Sequence, residues 1–85
     1  MMPTHPRWQE FLKRLDGPEG CNFRTKGRRE TWRCAGAESA DSYLFSRQIM
    51  IAMGLTAGEV TASLKYFRKH GGYCDCEVVF NVGRP

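Results

Sequence analysis

The stretch from Cys21 to Cys34 constrains the fold most, because its side chains sort into two chemically different sets. Successive side chains on a β-strand point to opposite faces, so alternate residues share a face. One set holds Phe23, Trp32 and the two end cysteines, and the other is mostly basic. Gly27-Arg28 can form a two-residue turn, which requires glycine at its first central position when it is of type II′. The sequence therefore predicts a β-hairpin with an apolar, covered face and a basic, solvent-exposed face.

The turn also fixes which residues pair across the hairpin. It places Lys26 opposite Arg29, Arg24 opposite Thr31, Phe23 opposite Trp32, and Cys21 opposite Cys34. A slip of one residue would separate both the aromatic pair and the cysteine pair, so this register is the one we expect.

The first of three predicted helices precedes the hairpin. Trp8, Phe11, Leu12 and Leu15 are spaced i, i+3, i+4 and i+7, which gives one apolar stripe. Gly17-Pro18 is expected to end this helix.

Two further helices are predicted after the hairpin. Ser39, Asp41 and Ser42 are candidate N-caps for the second helix, and Gly54 suits the position just past its end. The third helix starts with capping-box spacing from Thr56 to Glu59. Its buried stripe is Val60, Leu64 and Phe67, and Gly71-Gly72 follows it.

The last segment is predicted to be a strand that joins the hairpin. Cys74, Cys76, Val78, Phe80 and Val82 alternate with Asp75, Glu77, Val79 and Asn81, which is the pattern of a half-buried strand. Asp75 and Glu77 would then share a face with Arg24 and Arg33. The predicted fold class is α+β, with the order α-β-β-α-α-β and helices packed on one face of a three-stranded antiparallel sheet. Eighty-five residues make one domain, residues 1–85.

The sequence has no apolar run of membrane-span length and no signal-peptide pattern near its start, so we expect a cytoplasmic protein without a membrane partner. Thiols stay reduced in that compartment. Neither a Gly-rich phosphate loop nor a nucleophile elbow occurs. A pairing of His70 with a nearby cysteine lacks an orienting third group, so we do not expect an enzyme.

Four cysteines offer three interpretations. Cys21, Cys34, Cys74 and Cys76 could hold a structural zinc, with His70 as a spare ligand, because zinc takes four nitrogen or sulfur ligands. On an extended strand, however, the side chains of a Cys-x-Cys pair lie about 6.5 Å apart, so the strand would have to bend. The alternatives are four buried core thiols or a disulfide.

The basic face of the hairpin suggests an anionic partner. Lys26 and Arg29 are predicted to oppose each other, which is mildly unfavourable. A nucleic-acid phosphate backbone would relieve that cost. The alternative is a solvated face that protects the sheet. The candidate contact residues on the hairpin are Arg24, Lys26, Arg28, Arg29 and Arg33.

The second and third helices, joined by a Gly-bearing turn, resemble the helix pair of a winged helix-turn-helix. The strand after Gly72 would correspond to the wing. Such a domain would place three more basic residues at a groove, namely Lys65, Arg68 and Lys69. The same helix face carries no Asn or Gln to read bases. A protein partner is the competing expectation, bound through an exposed apolar patch that includes Val79.

The tail Gly71-Gly72-Tyr73-Cys74-Asp75-Cys76-Glu77-Val78, with Asn81-Val82 after it, resembles a small bacterial family of uncharacterised domains. Members are similar in having an upstream cysteine and a Gly-Leu helix start, and the likeness covers roughly the last 30 residues. Phe23 stands where that pattern has a histidine soon after the upstream cysteine. The resemblance implies a shared fold unit and carries no activity with it.

Overall fold

The computed structural model of the chain describes residues 1–34 and 41–83, except for the side chain of Lys26. The elements in chain order are α1 (Trp8–Asp16), β1 (Arg24–Lys26), β2 (Arg29–Thr31), α2 (Leu44–Ala52), α3 (Ala57–Lys69) and α4 (Asp75–Glu77). A π-helical segment, Val78–Val82, continues α4. Within these ranges, none of the helices has the length and apolar character needed to cross a membrane.

The hairpin has the predicted register. β1 and β2 are antiparallel, with Arg24 opposite Thr31 and Lys26 opposite Arg29. Gly27 begins the turn with a φ of 65°, a left-handed conformation that glycine adopts without steric cost. The predicted neighbours Phe23 and Trp32 stack with ring centroids 5.5 Å apart.

The prediction that the aromatic face of the hairpin is covered is wrong. Trp32 is 46% exposed, and Thr25 and Glu30 are also exposed. The Trp32 ring also meets the Phe80 ring in an edge-to-face arrangement, at 5.3 Å between centroids. The reason is that the described sheet has two strands of three residues each, so it presents too little surface for the helices to pack across.

The three long helices form where the sequence predicts them and enclose the core. The N-cap of α2, however, is Tyr43 rather than the candidate Asp41 or Ser42, and the candidate Ser39 lies outside the described residues. Trp8, Phe11 and Leu15 of α1 are buried, and the Phe11 ring stacks on that of Phe67 at 5.7 Å. In α3 the Thr56–Glu59 capping box is present in both directions. Gly54 has the expected positive φ of 90° after α2. The buried apolar residues are Trp8, Phe11, Leu15, Cys21, Tyr43, Ile49, Met50, Met53, Val60, Leu64, Phe67, Val78 and Val79.

The prediction of a third strand is wrong, and with it the three-stranded sheet. The segment that follows Cys74 is helical rather than extended. Asp75, Val78 and Val79 are buried and Val82 is partly buried, which is the i, i+3, i+4, i+7 spacing of a helix face. The same short segment also alternates with period two, and its four β-branched or aromatic residues favour a strand locally. Packing of the helical face against the core decides between the two.

This change overturns three further expectations. Asp75 is fully buried, so it does not share a solvent face with Arg24 and Arg33. Val79 is 3% exposed and cannot form part of an exposed apolar patch. The wing of the winged-helix comparison is absent from the described residues, because the segment after Gly72 is a helix.

Gly72 lets the helical tail pack closely against the end of α3. A Cβ atom built on Gly72 would lie 3.1 Å from a Val78 methyl carbon and 3.0 Å from one of Val82. The Gly72 carbonyl also accepts a hydrogen bond from the buried Tyr43 hydroxyl, which anchors the tail to the start of α2.

Candidate metal centre

The turn that starts α4 brings two cysteine thiols together. Cys74 is extended, with φ −152° and ψ 173°, and precedes the helix, whereas Cys76 lies within the helix. The chain therefore bends between them, and their Sγ atoms are 3.1 Å apart. An extended strand would have separated the two side chains by about 6.5 Å. The spacing argument against a shared metal thus disappears with the strand.

A third thiol comes from the end of the hairpin. The Sγ atom of Cys34 lies 3.5 Å from that of Cys76, and all three Sγ atoms lie within 4.8 Å of one another. Thiolates that bind one zinc at about 2.3 Å with tetrahedral angles lie about 3.8 Å apart. The two shorter separations, 3.1 and 3.5 Å, lie below that value, and the third is at most 4.8 Å, so one ion could contact all three sulfur atoms after small side-chain rotations that widen the two close pairs. We call Cys34, Cys74 and Cys76 the thiol cluster.

The thiol cluster is partly buried, and its surroundings favour the protonated forms of the Cys74 and Cys76 thiols. Burial raises the pKa of Cys74, and the neighbouring Cys76 thiol raises it further. Burial likewise raises the pKa of Cys76, and the Cys34 thiol adds to the effect. Neutral thiols are weak nucleophiles. A divalent cation would reverse this balance by stabilising the thiolates.

The fourth predicted ligand, Cys21, lies near the thiol cluster but outside it. Cys21 is fully buried, and burial raises its pKa to about 12. Asp75, Cys34 and Cys74 are close enough to raise it as well. Its carbonyl oxygen accepts a hydrogen bond from the Arg33 amide, which holds the Cys21 and Cys34 ends of the hairpin together. All four cysteines are free of disulfide bonds.

The structure does not bring the spare ligand His70 into the thiol cluster. His70 is exposed at the end of α3, and its ring lies against that of Tyr66 with centroids 4.2 Å apart.

Sequence reasoning missed two carboxylates beside the thiol cluster. The Glu77 Oε1 atom is 3.6 Å from the Cys74 Sγ atom. The spacing Cys74-x-x-Glu77 would have indicated this contact had the segment been interpreted as helical, because residues i and i+3 are neighbours on a helix. The second carboxylate, that of Asp75, points away from the thiols and into the start of α2.

Asp75 fixes the position of the thiol cluster on the fold. Its carboxylate accepts hydrogen bonds from the backbone amides of Phe45 and Ser46, each at 2.9 Å, and from the Ser46 hydroxyl. These two amides belong to the first turn of α2, whose N-cap residue Tyr43 provides no side-chain cap. Asp75 therefore acts as the N-cap side chain of α2, although it lies 30 residues from Phe45 in the sequence. Burial raises the pKa of Asp75, while the hydrogen bonds from Ser46 and Phe45 oppose that rise.

The predicted nucleic-acid contacts on the hairpin have different surroundings. Arg24, Arg28 and Arg29 are exposed, as expected. Lys26 is described only through its backbone. Arg33 has an exposed side chain but donates hydrogen bonds to the carbonyls of Pro18 and Gly20, at 2.6 and 2.7 Å, so its guanidinium also holds the loop before the hairpin.

The three predicted nucleic-acid contacts on α3, Lys65, Arg68 and Lys69, are exposed. Lys65 and Arg68 line a cavity between α2 and α3, whereas Lys69 does not. The helix pair of the winged-helix comparison is thus present, but the described part of the chain has a helix where the wing was expected.

Comparison with known proteins identifies a family for this chain, and that family has no assigned activity. Residues 33–81, more than half of the chain, match the family model described as "Protein of unknown function (DUF2695)". The matched region contains the whole thiol cluster and Asp75. No curated protein and no solved structure matches the chain.

Proposed function

The chain belongs to this family of proteins of unknown function, and from the geometry of the thiol cluster we propose that it is a zinc-stabilised, non-catalytic binding module of the cytoplasm. The observation that carries the proposal is the convergence of three thiols, with Sγ separations of 3.1 and 3.5 Å, from positions 42 residues apart. Thiolate ligands in a reducing compartment favour zinc among the available divalent metals.

A structural role for the ion follows from the size of the domain. A chain of 85 residues buries a modest core, and small domains commonly gain stability from a metal. The ion would join the end of the hairpin to the start of α4. Because the unfolded chain has no preformed site, the free energy of zinc binding is available to stabilise the fold.

Structural zinc sites are closed by four protein ligands, so one residue must complete the thiol cluster. Glu77 is one candidate, because its carboxylate already lies 3.6 Å from the Cys74 Sγ atom. Cys21 is the other, because it is near enough to interact electrostatically with Cys34 and Cys74. Either residue would leave no open coordination position for a substrate, which supports a role without catalysis.

Elemental analysis of protein purified without added metal tests the proposal directly. We expect about one zinc per chain, and loss of the zinc in Cys34→Ser and Cys76→Ser. A chelator should lower the unfolding temperature of the natural sequence and leave the two variants unchanged. Native protein that contains no metal and takes up none from a stoichiometric zinc solution would reject the zinc site.

Cobalt substitution identifies the fourth ligand. The intensity of the sulfur-to-cobalt charge-transfer band increases with the number of thiolates, so a Cys21 ligand gives a four-thiolate spectrum and a Glu77 ligand a three-thiolate spectrum. Glu77→Gln should weaken metal binding only in the second case, and Cys21→Ala only in the first. Glu10→Gln is the matched control for the charge change, because Glu10 is exposed and paired with Arg7.

Nucleic-acid binding is the second candidate function, and the hairpin is the observation that favours it. Exposed Arg24, Arg28 and Arg29 lie on an element that also carries the half-exposed Trp32 ring. Basic residues beside an exposed aromatic ring suit single strands, since bases stack on such rings. We expect affinity for single-stranded nucleic acid to fall steeply with salt and to be removed by reversing Arg24 and Arg29 to Glu. Undetectable binding at tens of micromolar protein and low salt would exclude this candidate.

A further inference from the structure

The cavity between α2 and α3 has no role in the proposed zinc site. It has a volume of about 330 Å³ and is lined by Arg47 of α2 and by Thr61, Leu64, Lys65 and Arg68 of α3. Positions 61, 64, 65 and 68 of a helix lie on one face, so the α3 residues form a single wall. The volume is near the lower end of the range of about 300–1,000 Å³ that is usual for small-molecule sites.

The charges around this cavity are unbalanced. Arg47 is paired with Asp41 through a contact of 3.0 Å between Nε and Oδ2. Among the described residues, neither Lys65 nor Arg68 has a carboxylate partner. Three cations against one carboxylate leave an excess of two positive charges. Like charges three or four residues apart on a helix are destabilising, so this wall gains stability when an anion is bound.

The side chains also differ in ways that suit one class of anion. The Arg68 guanidinium lies near the outer limit of a cation–π contact, since its central carbon is 5.9 Å from the centroid of the Tyr43 ring. A guanidinium presents its donors as a planar fork, which matches phosphate or carboxylate oxygens. Lys65 adds a mobile point charge. Buried Leu64 gives the cavity an apolar floor that could contact the organic part of a ligand.

We propose that this cavity binds the phosphate group of a small organic phosphate monoester, held between Arg47, Lys65 and Arg68. A phosphate monoester carries a charge of about −1.5 to −2 at neutral pH, which matches the excess positive charge of the cavity. The proposal is independent of the zinc site, which lies on other residues.

Phenyl phosphate is a suitable probe, and benzenesulfonate is its matched control with a similar ring and a single negative charge. In an NMR titration of the protein as purified, phenyl phosphate should shift the amide resonances of the cavity-lining residues in a saturable way. Benzenesulfonate should bind at least about tenfold more weakly, because charge-assisted contacts to a dianion are stronger. Equal affinity for both probes would overturn the assignment to a phosphate dianion.

Two lysine variants on α3 distinguish binding at a specific site from general electrostatic attraction of an anion to the protein. Lys65→Gln should weaken phenyl phosphate binding about tenfold, because it removes a direct charged contact. Lys69→Gln makes the same change in net charge on an exposed residue that does not line the cavity, and it should change the affinity less than about twofold. Arg68→Gln should match Lys65→Gln. Since Arg68 packs on Tyr43, Lys65→Gln decides the question if Arg68→Gln loses its fold.

Three results would overturn the proposal. The first is an equal loss of affinity in Lys65→Gln and Lys69→Gln, which would indicate non-specific electrostatic attraction. The second is the absence of saturable shifts up to about 10 mM phenyl phosphate. The third is saturable binding of a mixed-sequence DNA duplex that shifts the hairpin and cavity resonances together while phenyl phosphate fails to compete.

Discussion

Replacing Asp75 with alanine tests the interaction that holds the tail on the core. The Asp75 carboxylate is fully buried and accepts three hydrogen bonds from the start of α2. Its removal leaves two backbone amides and the buried Ser46 hydroxyl without their partner. An unsatisfied buried donor costs about 1–3 kcal/mol, and the loss of a helix cap costs about 0.5–2 kcal/mol.

The net loss should be smaller than the sum of these costs, because the buried carboxylate is itself costly. Burial raises the pKa of Asp75, which shows that the fold disfavours its charged form relative to water. We therefore expect Asp75→Ala to lower the free energy of unfolding by about 3 kcal/mol. A chain of this length has a total stability of about 4–13 kcal/mol, so the loss is a large fraction. Asp75→Asn should lose about half as much, since a neutral amide keeps one acceptor oxygen.

Urea unfolding followed by circular dichroism measures the effect. The denaturant slope of a chain this small is about 1 kcal/mol/M, so the midpoint of Asp75→Ala should fall by about 3 M. All samples should contain a chelator, because Asp75 lies between two proposed zinc ligands. Asp41→Ala is the matched control, since Asp41 also accepts an amide hydrogen bond near the start of α2 but is only half buried. It should lose about 1 kcal/mol.

A double variant shows whether the capping contact itself is responsible. Ser46→Ala removes the hydroxyl that bonds to Asp75, so its cost and that of Asp75→Ala should combine to less than their sum. If Asp75→Ala costs no more than Asp41→Ala, or if the two costs add fully, the assignment of Asp75 as the cap of α2 is wrong.

Three further outcomes follow from burial and from the thiol pKa values. Trp32→Ala should cost about 1 kcal/mol and Phe11→Ala about 3–5 kcal/mol in the same urea assay, because Trp32 is 46% exposed and Phe11 is fully buried; equal costs would contradict the exposed hairpin. In the metal-free protein, the free energy of unfolding should fall as the pH rises from about 9 towards about 12, since the unfolded chain ionises Cys21 at an ordinary thiol pKa and the folded chain does not; Cys21→Ala should reduce this fall in an unfolding series across that pH range, and Cys74 and Cys76, whose pKa values burial also raises, should account for the remainder. Zinc affinity should rise with pH between about 6 and 8, because the raised pKa values of Cys74 and Cys76 mean that zinc must displace their protons; competition with a chelating dye measures the slope, and a flat profile would contradict thiolate ligation.

Local patterns were sufficient to predict the hairpin register and three helices. The Gly27 turn, the Thr56–Glu59 capping box and the stripe of α1 each depend on residues close together in the sequence, and each is present in the structure. The exposure of Trp32 was not predictable in this way, because it depends on whether a third strand widens the sheet enough for helices to pack on the hairpin face. That question was decided by the tail, where two periodicities fit equally well.

The secondary structure of the tail, residues 74–82, was ambiguous because the residue that decides it, Asp75, is charged. A helix face at positions 75, 78, 79 and 82 contains one carboxylate, and a charged residue ordinarily marks a solvent face. Asp75 can be buried only because α2 begins with unpaired amides that need an acceptor. That need is visible in the sequence only as the absence of a good cap immediately before Leu44, where Tyr43 stands. The partner lies 30 residues away, so no local pattern connects the two.

The three residues Cys74-Asp75-Cys76 thus contribute both to the N-cap of α2 and to the thiol cluster. Asp75 turns inward to cap α2, and this places the thiols of Cys74 and Cys76 on the other side of the turn, beside Cys34. The cap and the thiol cluster are therefore coupled through the backbone of one helical turn. Asp75→Asn, which keeps the side-chain size and part of the cap, should lower zinc affinity without removing a ligand, whereas the more distant Asp41→Asn should leave it unchanged. Equal zinc affinity in Asp75→Asn and the natural sequence, with the urea midpoint of the metal-free variant lowered, would show instead that the cap supports the fold alone and that the thiol cluster is positioned without it.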